Sequence, residues 1–134
     1  MIFGIGTDIV QVSRVEKAMQ RAGERFPEKI LGADELVIFR DRKAKSDARG
    51  LRFLATRFAA KEAFSKAMGI GFRDPMAWHS IEIINDKLGC PQVILNSTLL
   101  TWTQDRNISV CISLADEKEY AIAYVILEQK NNHV

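Results

Sequence analysis

The sequence contains few of the residues that define several protein classes. Only two cysteines occur in 134 residues, with no C-x-x-C pair and no nearby pair of histidines, which excludes a disulfide scaffold and a thiolate zinc site. Three prolines, eight glycines and a 47% hydrophobic fraction exclude a collagen-like or disordered chain. No apolar run reaches the roughly 20 residues that span a bilayer, and the basic start of a signal peptide is missing. These absences predict one globular domain over residues 1–134, cytoplasmic and without membrane contact.

The charges are nearly balanced, so the total charge excludes little. Nineteen Lys and Arg against 17 Asp and Glu give a net charge of +2. A protein that coats a polyanion usually carries a larger excess of cations. The positions of the cations are therefore more informative than their number.

Hydrophobic periodicity predicts an α+β domain. Helices are expected at 13–26, 34–40, 51–68 and 99–105, and strands at 2–10, 80–85, 92–96, 108–114 and 120–127. The charged segment 41–50 is interpreted as an exposed loop or frayed helix start. The last strand is almost wholly apolar, which is typical of a central strand covered on both faces. Early helices and late antiparallel hairpins favour an antiparallel sheet packed with a long central helix.

The first predicted helix has two different faces. Ser13 and Glu16 fit a capping box, and an apolar stripe recurs at three- and four-residue steps. A separate face carries four cations, Arg14, Lys17, Arg21 and Arg25. Such a face is either a solvated surface or a docking surface for an acidic protein or nucleic acid. Nucleic acid would bring more net charge or exposed aromatic residues between the cations.

Glu62 lies on the apolar side of the long helix, among Leu54, Phe58 and Ser65. Burial without a partner strongly disfavours a carboxylate. Two interpretations remain open from this pattern: a salt bridge to Arg57 or Lys66, and a ligand of a metal ion.

Asp8 lies at the end of the first apolar strand, directly before a helix. It is either a turn or capping residue or a ligand held in a cleft. Two carboxylates from separate elements suit a hard cation such as Mg²⁺, which also keeps waters and substrate phosphate as ligands. In that case Lys61, next to Glu62, would face a phosphate oxygen or a leaving group.

The glycines and histidines carry weaker signals. Gly4 and Gly6 lack the third glycine of a dinucleotide loop and are expected to allow a helix to pack closely on the strand. Gly69 and Gly71 end the long helix, although their backbone can also approach a ligand. The isolated histidines, His79 and His133, are not predicted to be catalytic.

Two motifs together resemble a known family. Gly4-Ile5-Gly6-Thr7-Asp8-Ile9 and Arg57-Phe58-Ala59-Ala60-Lys61-Glu62-Ala63 are similar to the two signatures of the 4′-phosphopantetheinyl transferases. The chain length, the turn Gly89-x-Pro91 and the strand Tyr120-Ala121-x-Ala123 resemble the short bacterial branch of that family. The resemblance extends from about residue 2 to residue 128.

The resemblance implies an enzyme that transfers 4′-phosphopantetheine from coenzyme A to a serine of apo-acyl carrier protein. It would release adenosine 3′,5′-bisphosphate, require Mg²⁺ and serve fatty acid biosynthesis. It also implies a homotrimer with sites at the subunit interfaces, since longer relatives build the site between two such halves. Nucleic acid and membranes are not expected partners.

Family roles can be assigned to individual positions only as implications of the resemblance. Asp8 and Glu62 would hold the metal, while Glu62 and Lys61 would be catalytic. The implied coenzyme-binding residues are Arg49, Arg57, Ser65, Gly69 and Gly71, and those docking the carrier protein are Arg14, Arg21 and Arg25. One departure is visible, because Asp116 stands where many members have a histidine that contacts the coenzyme.

Two other functions are compatible with the residues. The cationic helix face would also suit a non-catalytic module that binds an acidic partner or nucleic acid, independently of Asp8 and Glu62. A Mg²⁺-dependent phosphohydrolase would use water in place of the carrier serine. Incubation with coenzyme A, Mg²⁺ and apo-carrier protein separates the three.

Overall fold

The computed structural model describes residues 1–131, so His133 lies outside the described residues. The elements, in chain order, are β1 (Ile2–Gln11), α1 (Val12–Ala22), α2 (Arg25–Ile30), α3 (Ala33–Lys45), α4 (Asp47–Met68), β2 (Ile81–Asn85), β3 (Pro91–Leu95), α5 (Ser97–Asp105), β4 (Ile108–Asp116) and β5 (Tyr120–Gln129). A short 3-10 helix, Trp78–Ser80, precedes β2. The predicted α+β class is confirmed.

The larger sheet is antiparallel, with β5 between β1 and β4. Because side chains alternate across a strand, every second residue of β5, such as Ala123 and Val125, is buried. The long helix α4 packs against this buried face. Gly4 and Gly6 of β1 lie against the carbonyl oxygens of Ala67 and Ala63, where a Cβ atom would collide with the backbone. The close packing predicted for these glycines is confirmed.

Helix α4 is the centre of the core. It contributes many of the fully buried side chains, and it packs against α3 as well as against the larger sheet. The smaller sheet, β2–β3, is antiparallel and pairs Ile83 with Val93. Gly69 has φ 84° and ends α4 in the left-handed conformation, as predicted for a glycine at this position.

Three local expectations differ from the structure. The first predicted helix is divided, because α1 ends at Ala22, Gly23 follows it, and α2 begins at Arg25. Gln11, and not Ser13, occupies the N-cap position of α1, without a side-chain capping bond. The segment 41–50 is helical on both sides of Ser46, whose Oγ accepts a bond from the amide of Arg49. Ser46 ends α3 and starts α4, so the charges there lie on helices.

The prediction that β5 is covered on both faces is wrong for a single chain. The face opposite α4 leaves apolar side chains of β1 and β5 in the open, and they lie side by side. Ile9 pairs with Ile122, and Thr7 pairs with Tyr124. The exposed fractions of Ile5, Ile9, Ile122 and Tyr124 are 53%, 61%, 42% and 42%. These four residues are called the outer sheet face below.

Across residues 1–131, no helix combines the length and apolarity that a membrane crossing requires.

Candidate functional site

Asp8 and Glu62 lie together where β1 packs on α4. Side-chain alternation along β1 points Asp8 towards α4, on the same side as Gly6 and Val10. Both carboxylates are half-buried. The structure therefore brings together the two acidic residues that the sequence placed on separate elements.

A third charged residue, Lys66, completes this cluster. One helical turn after Glu62, its Nζ donates to Asp8 Oδ1 and to the carbonyl oxygen of Thr7, both at 3.1 Å. The expectation that Arg57 or Lys66 forms a salt bridge with Glu62 is wrong, since no ion pair joins them in the part of the chain described. Sequence reasoning missed Lys66 as a site residue, although its i+4 spacing from Glu62 was a usable signal.

The environment of Glu62 raises the pKa of its carboxyl group above the ordinary value. Burial is the largest cause, repulsion by the Asp8 carboxylate adds to it, and Lys66 opposes it. A carboxylate in this position therefore gains from an additional cation.

The donor set fits Mg²⁺. Two carboxylates converge from β1 and α4, and within residues 1–131 no cluster of three or more His, Cys, Asp or Glu residues joins them. Mg²⁺ is typically held by one or two carboxylates, with waters and substrate phosphates at its other positions. A Zn²⁺ or Ca²⁺ site would require more protein ligands.

Lys61 points away from this cluster, into the core. Its Nζ donates three hydrogen bonds, to the carbonyl oxygens of Ile30 at 2.6 Å and Trp78 at 2.9 Å and to Glu35 Oε1 at 2.6 Å. The side chains of Lys61 and Glu35 are both 0% exposed. All three ammonium protons are used inside the protein, so the prediction that Lys61 faces a phosphate is corrected. Lys61 is a buried structural cation.

The residues after Glu62 separate into buried and accessible ones. Ser65 is 2% exposed and donates from Oγ to the carbonyl oxygen of Glu62 at 2.7 Å. Its side chain therefore lies inside the protein, and the prediction that it lines a coenzyme cleft is corrected. Gly69 is exposed and Gly71 is half-buried, so a ligand can reach their backbone.

A second cluster of charge surrounds a cavity of about 350 Å³, called the arginine pocket below. Arg49, Arg52 and Arg57 of α4 all line it, with Arg49 and Arg52 three residues apart in the helix, and Arg42 of α3 lines it as well. The remaining wall comes from β2, the β2–β3 turn, β3 and the end of β4. The full lining is Arg42, Arg49, Arg52, Phe53, Thr56, Arg57, Asn85, Gly89, Pro91, Leu114 and Asp116. Four arginines line this one cavity, and arginine is suited to binding phosphate.

Arg57 is held rigidly at the back of this pocket. Its Nε donates to the carbonyl oxygen of Ile83 at 2.9 Å, Nη1 to Thr56 Oγ1 at 3.0 Å and Nη2 to Asn85 Oδ1 at 3.1 Å. Its guanidinium group also lies 4.1 Å from the centre of the Phe53 ring. Burial lowers the pKa of Arg57 to about 10, so the group remains a cation at neutral pH.

The predicted carrier-docking residues are all exposed. Arg14 and Arg21 lie on α1, whereas Arg25 lies at the start of α2, beyond the break at Gly23. The cations therefore form a surface across two helices and not one continuous helical face.

A larger cavity, about 900 Å³, lies between α1 and the junction of α3 and α4, and none of the predicted site residues lines it.

Comparisons with known proteins agree in sequence and in structure. The family model described as the 4′-phosphopantetheinyl transferase superfamily matches residues 4–125. A relative from Cupriavidus pinatubonensis, named holo-[acyl-carrier-protein] synthase, is 52% identical over 129 residues, which are 96% of this chain and 92% of the relative.

Two solved structures are similar over almost their whole length. The crystal structure of holo-[acyl-carrier-protein] synthase from Neisseria meningitidis is 38% identical, with a TM-score of 0.88, and the match covers 96% of this chain and 100% of that chain. A holo-(acyl-carrier-protein) synthase from Bacillus anthracis, in complex with CoA (3′,5′-ADP), is 36% identical, with a TM-score of 0.80 and coverage of 97% and 99%.

Proposed function

Because the chain belongs to the 4′-phosphopantetheinyl transferase superfamily, within its holo-[acyl-carrier-protein] synthase branch, we propose that residues 1–134 form one Mg²⁺-dependent transferase domain. It transfers 4′-phosphopantetheine from coenzyme A to a serine of apo-acyl carrier protein and releases adenosine 3′,5′-bisphosphate. The observation that carries this proposal is the convergence of Asp8, Glu62 and Lys66 where β1 meets α4. Such a cluster suits phosphate transfer assisted by a metal ion.

The experiment is mass spectrometry of apo-acyl carrier protein after incubation with the chain, coenzyme A and Mg²⁺. The expected result is a mass gain equal to one phosphopantetheine group, which disappears when EDTA is added. An unchanged carrier mass, with a competent transferase as positive control, would reject the proposal. Release of phosphopantetheine without carrier protein would indicate hydrolysis instead.

Asp8 and Glu62 hold the metal ion in this proposal. When bound, Mg²⁺ supplies charge neutralisation for the pyrophosphate of coenzyme A. The carrier serine oxygen forms a bond to the β-phosphorus, and the bond from that phosphorus to the bridging oxygen breaks, leaving its electron pair on adenosine 3′,5′-bisphosphate. Glu62 would also accept the serine proton in this proposal.

Lys66 and the glycines following α4 orient the donor. Lys66 donates two protons to Asp8 and Thr7, and none of the described side chains accepts its third, so this proton is free for a pyrophosphate oxygen. Gly69 and Gly71 allow the coenzyme to approach the backbone. The arginine pocket, including Arg49 and Arg57, receives phosphate groups of the nucleotide.

The cationic surface made by Arg14, Arg21 and Arg25 docks an acidic helix of the carrier protein. We expect the double variant Arg14→Glu/Arg21→Glu to raise the KM for carrier protein by roughly tenfold or more, because complementary charges become repulsive. The KM for coenzyme A should stay unchanged. Steady-state kinetics with each substrate varied, at low and high salt, measures both values.

A matched control for this variant is Arg106→Glu. Arg106 is an exposed cation at the end of the larger sheet opposite to α1, where its carbonyl oxygen accepts a bond from Gln129 Nε2 and its guanidinium group lies 4.4 Å from the centre of the Trp102 ring. Its reversal should leave the KM for carrier protein within about twofold. Equal effects of both substitutions would mean that only the net charge matters, and the docking surface would be rejected.

The working enzyme is proposed to be a homotrimer in the cytoplasm, assembled through the outer sheet face. Contiguous exposed apolar side chains of this kind mark interaction surfaces. A second observation supports shared sites: Asp8, Glu62 and Lys66 do not line the arginine pocket of their own chain. A neighbouring copy would supply the arginine pocket that faces these three residues.

Complementation between inactive variants tests a shared site. Glu62→Gln and Arg49→Glu should each transfer slowly alone, but mixed trimers reassembled from both should regain activity, since some interfaces combine two intact halves. The regained rate should reach a sizeable fraction of wild type, and sedimentation should give the mass of three chains. Mixtures that are no more active than their components, or a monomeric mass, would contradict the proposal.

A further inference from the structure

The arginine pocket contains one acidic side chain, Asp116. It is the last residue of β4, on the same face as Leu114, and both residues line the cavity. Its charge also acts on Arg57. Burial lowers the pKa of Arg57, and the Asp116 charge offsets part of that lowering.

Asp116 is not neutralised by a direct contact. Within residues 1–131, it forms no ion pair with Arg42, Arg49, Arg52 or Arg57. Asp116 is exposed, and none of the described cations forms an ion pair with it. A bound phosphate would therefore meet four cations and one unpaired anion.

We propose that Asp116 sets the affinity of the arginine pocket for phosphate, weakening the binding of highly charged nucleotides and so favouring the release of adenosine 3′,5′-bisphosphate. The inference rests on the proposed function, which places the nucleotide in this pocket. A carboxylate several ångströms from a phosphate, in a partly solvated pocket, changes affinity by on the order of tenfold. The effect grows with the number of phosphate charges on the ligand.

The affinity of the arginine pocket for the bisphosphate product bears on the rate of turnover. Four lining arginines, one of them held rigidly by three hydrogen bonds, favour tight binding of a bisphosphate. Tight product binding slows turnover whenever release limits the rate. An uncompensated carboxylate at the rim lowers this affinity without removing any of the cations that orient the substrate.

Calorimetric titration of the full chain with pyrophosphate and with adenosine 3′,5′-bisphosphate tests the inference. Asp116→Asn should bind both about tenfold more tightly at low salt, with a smaller gain at high salt, because salt screens an exposed charge. Adenosine 5′-monophosphate should gain less. The matched control, Glu117→Gln, removes an exposed charge next in sequence that does not line the pocket, and it should change each affinity by less than about twofold.

The opposite results overturn the inference. Weaker or unchanged binding by Asp116→Asn would mean that Asp116 accepts a hydrogen bond from the ligand or does not act on it. An equal gain in Glu117→Gln would reduce the effect to net charge. The transfer assay on wild-type protein tests the proposed function separately from the role of Asp116. Pyrophosphate binding can be measured whether or not phosphopantetheine is transferred.

Discussion

Replacing Glu62 by glutamine is expected to lower the rate of phosphopantetheine transfer by roughly a hundred- to ten-thousandfold. Glutamine keeps the size of the side chain but removes the charge that holds the metal and the oxygen that accepts the serine proton. The Mg²⁺ concentration needed for half-maximal rate should also rise. Both quantities follow from transfer kinetics over a Mg²⁺ titration, and a rate near that of wild type would remove Glu62 from the site.

The same variant should fold normally, which makes the loss of activity interpretable. The raised pKa of Glu62 means that the folded protein binds its proton more tightly than the unfolded chain. Without metal, the stability of the wild type therefore falls as pH rises from the ordinary value, 4.5, through the raised one. Glutamine does not ionise, so Glu62→Gln does not lose stability in this way. At neutral pH the metal-free variant should therefore be at least as stable as the metal-free wild type in urea unfolding. Glu117→Gln, in the exposed β4–β5 turn, is the control for activity.

Replacing Lys61 by methionine is expected to destabilise the fold by about 3–5 kcal/mol, the usual cost of leaving one partner of a buried ion pair alone. Glu35 would keep its bonds from the amides of Gly32 and Ile83 but lose its buried cation. Because small proteins have total stabilities of about 5–15 kcal/mol, this is a large fraction. Urea unfolding monitored by circular dichroism measures the change.

Lys66 and Glu35 provide the comparisons for this prediction. Lys66→Met removes the same charge from the same helix, but the Lys66 side chain is 54% exposed, so its cost should stay below about 1 kcal/mol. The double variant Glu35→Gln/Lys61→Met should cost less than the sum of its single variants, since neither charge is then left unpaired. Similar costs for Lys61→Met and Lys66→Met would contradict the structural role of Lys61.

The contrast between Lys61 and Glu62 shows how far sequence reasoning extended. The apolar setting of Glu62 marked it as a carboxylate in need of a partner. Asp8 was marked by its predicted place at the end of an apolar strand, which is wrong, because β1 continues to Gln11 and pairs Asp8 with Ala123. The proximity of Asp8 and Glu62 followed from no local pattern, because it depends on Gly4 and Gly6 bringing β1 against α4. Lys61 carried the same motif signal as Glu62, yet one residue along a helix turns the side chain by about 100°, here into the core.

The arginine pocket illustrates the same limit. In the sequence, Arg49 and Arg57 were marked only by the family resemblance, and Arg52 was not marked. Arg42 joins them from α3 and Asp116 from β4. Their positions depend on how α3 packs on α4 and how β4 pairs with β5. The resemblance therefore indicated Arg49 and Arg57, while the packing of whole elements decided which residues share the pocket with them.

The sequence by itself determined the α+β class, the order of most elements and the acidic residues of the site, because periodicity and desolvation act within short segments. Only the tertiary structure decided which cation meets those carboxylates. Lys66 reaches Asp8, whereas Lys61 is used by Glu35, 26 residues away in the chain. The physical reason is that a charge finds its partner through the packing of whole elements. That packing is set by long-range contacts which no local pattern contains.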